Sequence, residues 1–133
     1  MAGISFPGHT EIFAKLTHTS QYCMMLISDK LSVSFVTTHT SYISVPSKLE
    51  MGRIVDVIEL TWQAMNKFKS KNIHLAVCGL NPHAGENALF GQEEIEIITP
   101  AIKMAQSIGM SVDGPLSPDA AFTVPIRKTY DAI

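Results

Sequence analysis

Two histidines stand where metal chemistry is to be expected. His39 directly follows the apolar run L-S-V-S-F-V-T-T at 31–38. His83 sits in the polar loop N-P-H-A-G-E, which follows the run L-A-V-C at 75–78. Both runs read as strands, and Gly79 and Pro82 mark the turn that ends the second. Neutral imidazoles at the ends of neighbouring parallel strands share one rim, where they can bind a divalent cation with carboxylates or water completing the shell. Glu86 lies in the same loop as His83. Two ligands are one short of the three protein ligands of a catalytic zinc site, and the pair lacks the H-x-x-x-H spacing of a helical zinc motif. On spacing alone, loop histidines more often only hydrogen-bond the backbone and form no site.

A second constellation is G-H-T-E at 8–11, where His9 and Thr10 bring an imidazole, a hydroxyl and backbone N–H groups to a helix start. That combination suits a phosphate or carboxylate. It is also what a plain helix cap with an acidic first turn looks like. Asp119, in the S-P-D turn, could act as a base or bind an ammonium group, or could simply form the turn. His18 and His74 are assigned to structure. Neither G-x-G-x-x-G nor G-x-x-x-x-G-K occurs, and no serine or cysteine sits in a nucleophile elbow.

The elements that must position these residues follow from periodicity. Ile12, Phe13, Leu16, Cys23, Met24 and Leu26 predict a helix over 11–27, capped by Thr10 and interrupted in pattern by T-H-T-S. A strand at 31–38 and an extended segment at 41–45 follow. Ser47 and Glu50 have capping-box spacing, and Met51, Ile54, Val55, Ile58, Trp62, Met65 and Phe68 form the apolar stripe of the helix they would open. Lys67, Lys69 and Lys71 suit its C-terminus. After the strand at 75–78, residues 92–109 read as helical, with Ile95, Ile98, Ile102 and Ala105 on one side, Thr99 and Pro100 as a restart, and Gly109 as the stop. A short strand at 110–113 precedes a loop with two prolines, and 122–133 carry only a weak pattern. This alternation predicts an α/β fold with a largely parallel sheet and helices on both faces, as a single domain over residues 1–133.

A formal charge of −2 with 17% charged residues leaves no broad basic surface, which argues against nucleic acid or an anionic membrane as a general partner. Cys23 and Cys78 fall in apolar contexts, one in the predicted helix and one in a strand, as buried thiols do in a reducing cytoplasm. No apolar run approaches the ~20 residues of a membrane span, and the first residues lack the pattern of a signal peptide.

Taken together, F-P-G-H-T-E at 6–11, V-T-T-H at 36–39, G-L-N-P-H-A-G-E at 79–86 with the following G-Q-E-E, and D-G-P-L-S-P-D at 113–119 resemble the 4-hydroxythreonine-4-phosphate dehydrogenase family of pyridoxal phosphate biosynthesis. The resemblance runs nearly the length of the chain. It implies an isocitrate/isopropylmalate dehydrogenase-like α/β fold of two domains, and NAD-dependent oxidation of 4-phosphooxy-L-threonine followed by loss of its carboxylate. It further implies a divalent metal (Zn, Mg or Co) held by three histidines, two of them matching His39 and His83. His9 and Thr10 match positions that contact the phosphorylated substrate. The family is a homodimer whose chain is more than twice this length. Its third metal histidine, in a Tyr-His-Asp-Gln-Gly motif, most of its NAD site and the downstream lysine, asparagine and arginine that hold substrate have no counterpart here. The expectation is therefore that this stretch alone is inactive. Two alternatives stay open: a non-catalytic dimerising α/β module, and a related dehydrogenase for another phosphorylated hydroxy acid.

Overall fold

The computed structural model describes residues 6–69, 72–86 and 88–133, so Met1 to Ser5 of the N-terminal loop and the predicted helix-end residue Lys71 lie outside the described residues. Helix α1 spans His9–Leu16 and is much shorter than expected. The T-H-T-S run ends it: Thr17 Oγ1 donates to the Phe13 carbonyl at 2.8 Å, and His18 takes a left-handed φ of 52°. His18 thus lies in a turn rather than inside a helix. Gly8, not Thr10, occupies the N-cap.

The apolar residues assigned to the second half of that helix instead form strand β1, Met24–Ile27, which pairs antiparallel with β2, Ser32–Phe35. The connecting turn is closed by Ser28, whose N–H and Oγ both donate to the Leu31 carbonyl. Cys23 accordingly precedes a strand. Residues 41–45 are not extended but contain the 3₁₀ turn Tyr42–Ser44, and Pro46–Lys48 forms another. Ser47 Oγ donates back to Ser44 instead of capping, so the capping box does not form and α2, Met51–Phe68, starts from Glu50. Ile54, Val57, Ile58, Thr61 and Met65 are its buried face, whereas Met51 and Phe68 are exposed.

Strand β3, His74–Cys78, pairs parallel with β4, Ser111–Leu116, which runs longer than the strand predicted at 110–113. A π-helical turn, Glu94–Ile98, leads without a break into α3, Thr99–Ser107, and Pro100, which has no N–H to donate, stands where the one passes into the other. Thr99 is helical rather than a cap. Ile95 faces solvent, and Glu94 takes the buried place instead. Gly109, at φ 91°, ends the helix as expected.

The two strand pairs are joined by residues 131–133. Ile133 donates to Ser32 and accepts from Ser34 on β2, while the Ala132 carbonyl accepts from Ala76 on β3 and Leu75 forms a parallel bridge with Ala132. The parallel order of the sheet therefore runs from β2 through these residues to β3 and β4, with β1 added antiparallel at the edge. Helices α2 and α3 pack on each other and onto this sheet. The core between them gathers Ile54, Met65, Leu75, Ile102 and Val112, each below 3% exposed, and each such side chain contributes about 1.5–3 kcal/mol by leaving water.

Candidate functional site

Because β2 and β3 run parallel through residues 131–133, the segments that leave their C-terminal ends emerge on one rim. A cavity of about 220 Å³ lies between these exits, lined by Val36 and Thr37 on one side and Cys78, Gly79 and Leu80 on the other. Burial raises the Cys78 thiol above its ordinary value, which keeps it protonated and unreactive at neutral pH.

On the β2 side, His39 takes a left-handed backbone, φ 52°, and its ring lies against the start of α1. Its Nε2 is 4.0 Å from Glu11 Oε2. The other carboxylate oxygen, Oε1, accepts from Thr38 Oγ1 at 3.2 Å. Glu11 Oε2 is buried and has no hydrogen-bond partner. Gly8 makes this approach feasible, because a Cβ there would come within 2.3 Å of His39 Nε2. The motifs G-H-T-E and V-T-T-H are thus brought into contact. Thr10 is half-buried and His9 exposed at the first turn of α1.

On the β3 side, His83 lies in a loop of unusual backbone: Ala84, Gly85, Glu86 and Ala88 all have positive φ. Such a run costs free energy and persists only where its surroundings enforce it. Asn81 is one enforcer, its Oδ1 accepting from the N–H groups of His83 at 3.0 Å and Gly85 at 3.2 Å. The His83 ring packs against Phe90, and its Nδ1 is 3.0 Å from Glu86 Oε1. A carboxylate on Nδ1–H leaves the Nε2 lone pair free for a cation, the arrangement in which metal-binding histidines are ordinarily held. Ser117 Oγ donates to the Pro82 carbonyl, tying the S-P-D segment to this loop. Asp119 itself is exposed in the first turn of helix α4, Pro118–Ala121.

Each imidazole is therefore paired with a carboxylate of its own. Among the described residues, no cluster of three or more His, Cys, Asp or Glu side chains is arranged to hold a metal. His74 packs its ring, tilted by 59°, against Tyr130 and meets Asp113 Oδ2 at 3.0 Å, in the first position of β3 and away from the rim. Sequence reasoning passed over Glu11 and Glu94. In the sequence Glu11 reads only as first-turn charge, and Glu94 only as part of G-Q-E-E. Both carboxylates lie beside a glycine, Glu11 beside Gly8 three residues earlier and Glu94 beside Gly79 and Gly85, which only the fold brings next to it.

The profile of the family described as "Pyridoxal phosphate biosynthetic protein PdxA" matches residues 1–133. A 4-hydroxythreonine-4-phosphate dehydrogenase of Desulforapulum autotrophicum is 42% identical over 134 residues, covering 100% of this chain and 39% of the relative. A D-threonate 4-phosphate dehydrogenase of Salmonella typhimurium is likewise 42% identical, over 133 residues, covering 100% of this chain and 41% of the relative. The crystal structure of a 4-hydroxythreonine-4-phosphate dehydrogenase from Klebsiella pneumoniae superposes with a TM-score of 0.89 at 41% identity, over 98% of this chain and 40% of that one. The chain thus spans about two fifths of the length of the relatives it matches.

Proposed function

The chain belongs to the PdxA family of pyridoxal phosphate biosynthetic proteins, and from that premise we propose that it forms part of an NAD- and divalent-metal-dependent dehydrogenase of a phosphorylated hydroxy acid. The substrate proposed first is 4-phosphooxy-L-threonine, oxidised at its secondary alcohol and then decarboxylated to 3-amino-2-oxopropyl phosphate. The observation that carries this reading is the meeting of His39 with G-H-T-E, joined by Thr38–Glu11 at 3.2 Å and His39–Glu11 at 4.0 Å. It supports reading His39 as a cation ligand beside a phosphate cradle.

The residues present fit a cation. The orphaned oxygen of Glu11 faces His39 Nε2, and Glu86 fixes His83 so that its Nε2 lone pair is free. His39 and His83 would hold the ion. A divalent cation supplies Lewis acidity there, lowering the pKa of a bound alcohol and stabilising negative charge left by decarboxylation. The chain's own part is positional. Thr10 and the free N–H groups at the start of α1, with His9, bind the phosphate. That anchors the substrate's far end and aims its hydroxyl at the imidazoles. The residues do not fit a dinucleotide loop, so no step is assigned to them through NAD, whose involvement rests on family membership. A homodimer in the cytoplasm completes the proposal, with residues 1–133 as one α/β domain.

D-threonate 4-phosphate is the second reading of the substrate. It is supported by a relative of that name at the same 42% identity as the 4-hydroxythreonine-4-phosphate enzyme. Incubating the chain with NAD, zinc and either substrate, while following NADH absorbance and the melting temperature, tests the proposal. Either phosphorylated substrate should raise the melting temperature in the wild type and not in H9A/T10A. Without any shift, the phosphate cradle is wrong. A zinc-induced shift without NADH identifies this polypeptide as the binding portion of the enzyme.

A further inference from the structure

Glu94 is the most buried acid among the described residues, 3% exposed, yet neither the proposed chemistry nor the core uses it. It is the first residue of the π-helical turn, a conformation that recurs at functional sites because it re-aims a side chain. Its Oε1 accepts from the Leu80 N–H at 2.8 Å, directly after β3. The carboxylate is seated between the two glycines of the His83 loop. A Cβ on Gly79 would fall 3.0 Å from Oε1, and one on Gly85 would fall 2.7 Å from Oε2. Gly85 has a φ of 78° and is itself buried.

Burying a carboxylate is costly, and Oε2 has no hydrogen-bond partner to offset that cost. An apolar residue here would serve the core better. What the carboxylate does instead is hold the strand exit at Leu80 by a hydrogen bond, while its other oxygen packs against the left-handed turn at Gly85. Asn81 holds the same loop from within, through the His83 and Gly85 amides. His83 then leaves the loop at a fixed angle, with Glu86 on Nδ1.

We propose that Glu94 is a positioning residue for His83, acting through the backbone of the 79–86 loop rather than by touching substrate or metal. The inference rests on the reading of His83 as a cation ligand, and the experiment separates the two. Zinc affinity is measured for the wild-type chain, H83A, E94A, E94D and E94Q, together with amide exchange at Leu80, His83 and Gly85. E94D keeps the buried charge one methylene short of Leu80 and serves if E94A does not fold. E94Q keeps an acceptor oxygen for the Leu80 N–H. The expected result is loss of zinc binding in H83A, affinity weaker by about tenfold or more in E94A and E94D, and recovery to near the wild-type value in E94Q, with faster exchange at the three amides in E94A. If H83A loses zinc but E94A and E94D bind it as the wild type does, the positioning role is overturned and the metal reading stands. If H83A binds like the wild type, or the wild type does not bind, the metal reading fails. The exchange data then decide: unchanged rates overturn the loop anchor, and faster rates retain it.

Discussion

Replacing Gly8 by alanine tests whether the approach of His39 to the first turn of α1 matters for binding. Gly8 has a φ of −160°, extended backbone that alanine adopts freely, so the substitution carries no conformational penalty of its own. Its effect is steric. The new Cβ would lie 2.3 Å from His39 Nε2 and 2.8 Å from Glu11 Oε2. Restoring ordinary contact forces the imidazole back by roughly 1 Å, and holding it in place against such overlap costs about 1–3 kcal/mol. At about 1.4 kcal/mol per factor of ten, zinc affinity should fall by roughly 5- to 150-fold. Stability should hardly change, within about 0.5 kcal/mol, because the His39 side chain is 43% exposed and can swing outward. Competition for zinc with a chromophoric chelator measures the first quantity, and urea unfolding of the zinc-free chain the second. G52A is the control: a Cβ on Gly52, at the solvent side of α2, meets nothing within 4 Å, so zinc affinity should stay as in the wild type. Unchanged affinity in G8A would refute His39 as a ligand. A loss of stability as large as that of a core substitution would instead make the His39–Glu11 contact structural.

Three other outcomes are expected. E86Q, which replaces the carboxylate 3.0 Å from His83 Nδ1, should weaken zinc binding by about tenfold, within the 10–100-fold typical of residues that orient a metal histidine; calorimetric titration showing wild-type affinity would count against that orientation. Burial first, then the hydrogen bond and charge of Asp113, raise the Tyr130 hydroxyl above its ordinary 10.0, so its stabilising contribution is complete below about pH 10 and is lost as pH rises through the folded-state value. Urea unfolding between pH 8 and 11 should show a decline that Y130F reduces, and an equal decline in both proteins would contradict the assignment. I54A, at a site 2% exposed in the core, should cost about 2–5 kcal/mol of unfolding free energy; a loss under 1 kcal/mol would mean that α2 is not packed as described.

The parts legible in the sequence were those set by local rules. Strand β3 and its loop were punctuated by Gly79 and Pro82, α2 by a seven-residue apolar stripe, and the end of α3 by Gly109. Pairing across the chain decided the rest. Cys23, Met24 and Leu26 fit a helical spacing, but each residue of Met24–Ile27 finds a partner 5 to 11 residues on and closes a hairpin with Ser32–Phe35. Residues 131–133 have no strand pattern of their own. Their conformation is imposed by neighbours on both sides, which is information that three residues cannot carry. The rim histidines were found because each follows an apolar run. Glu94 was hidden in E-E-I-E, where three acids and an apolar residue mix as they would on a solvated helix, and only the π-turn turns it inward. Glu11 likewise became more than a dipole partner once the backbone of His39 entered the left-handed region beside it.

His39 and His83 are proposed to grip one cation. Zinc titration followed through the ring signals of both histidines by NMR tests it most directly. The two sets of signals should move together, over the same equivalents of zinc, and neither should move in the variant lacking the other ring. Signals that move singly, or at separate zinc concentrations, would contradict it.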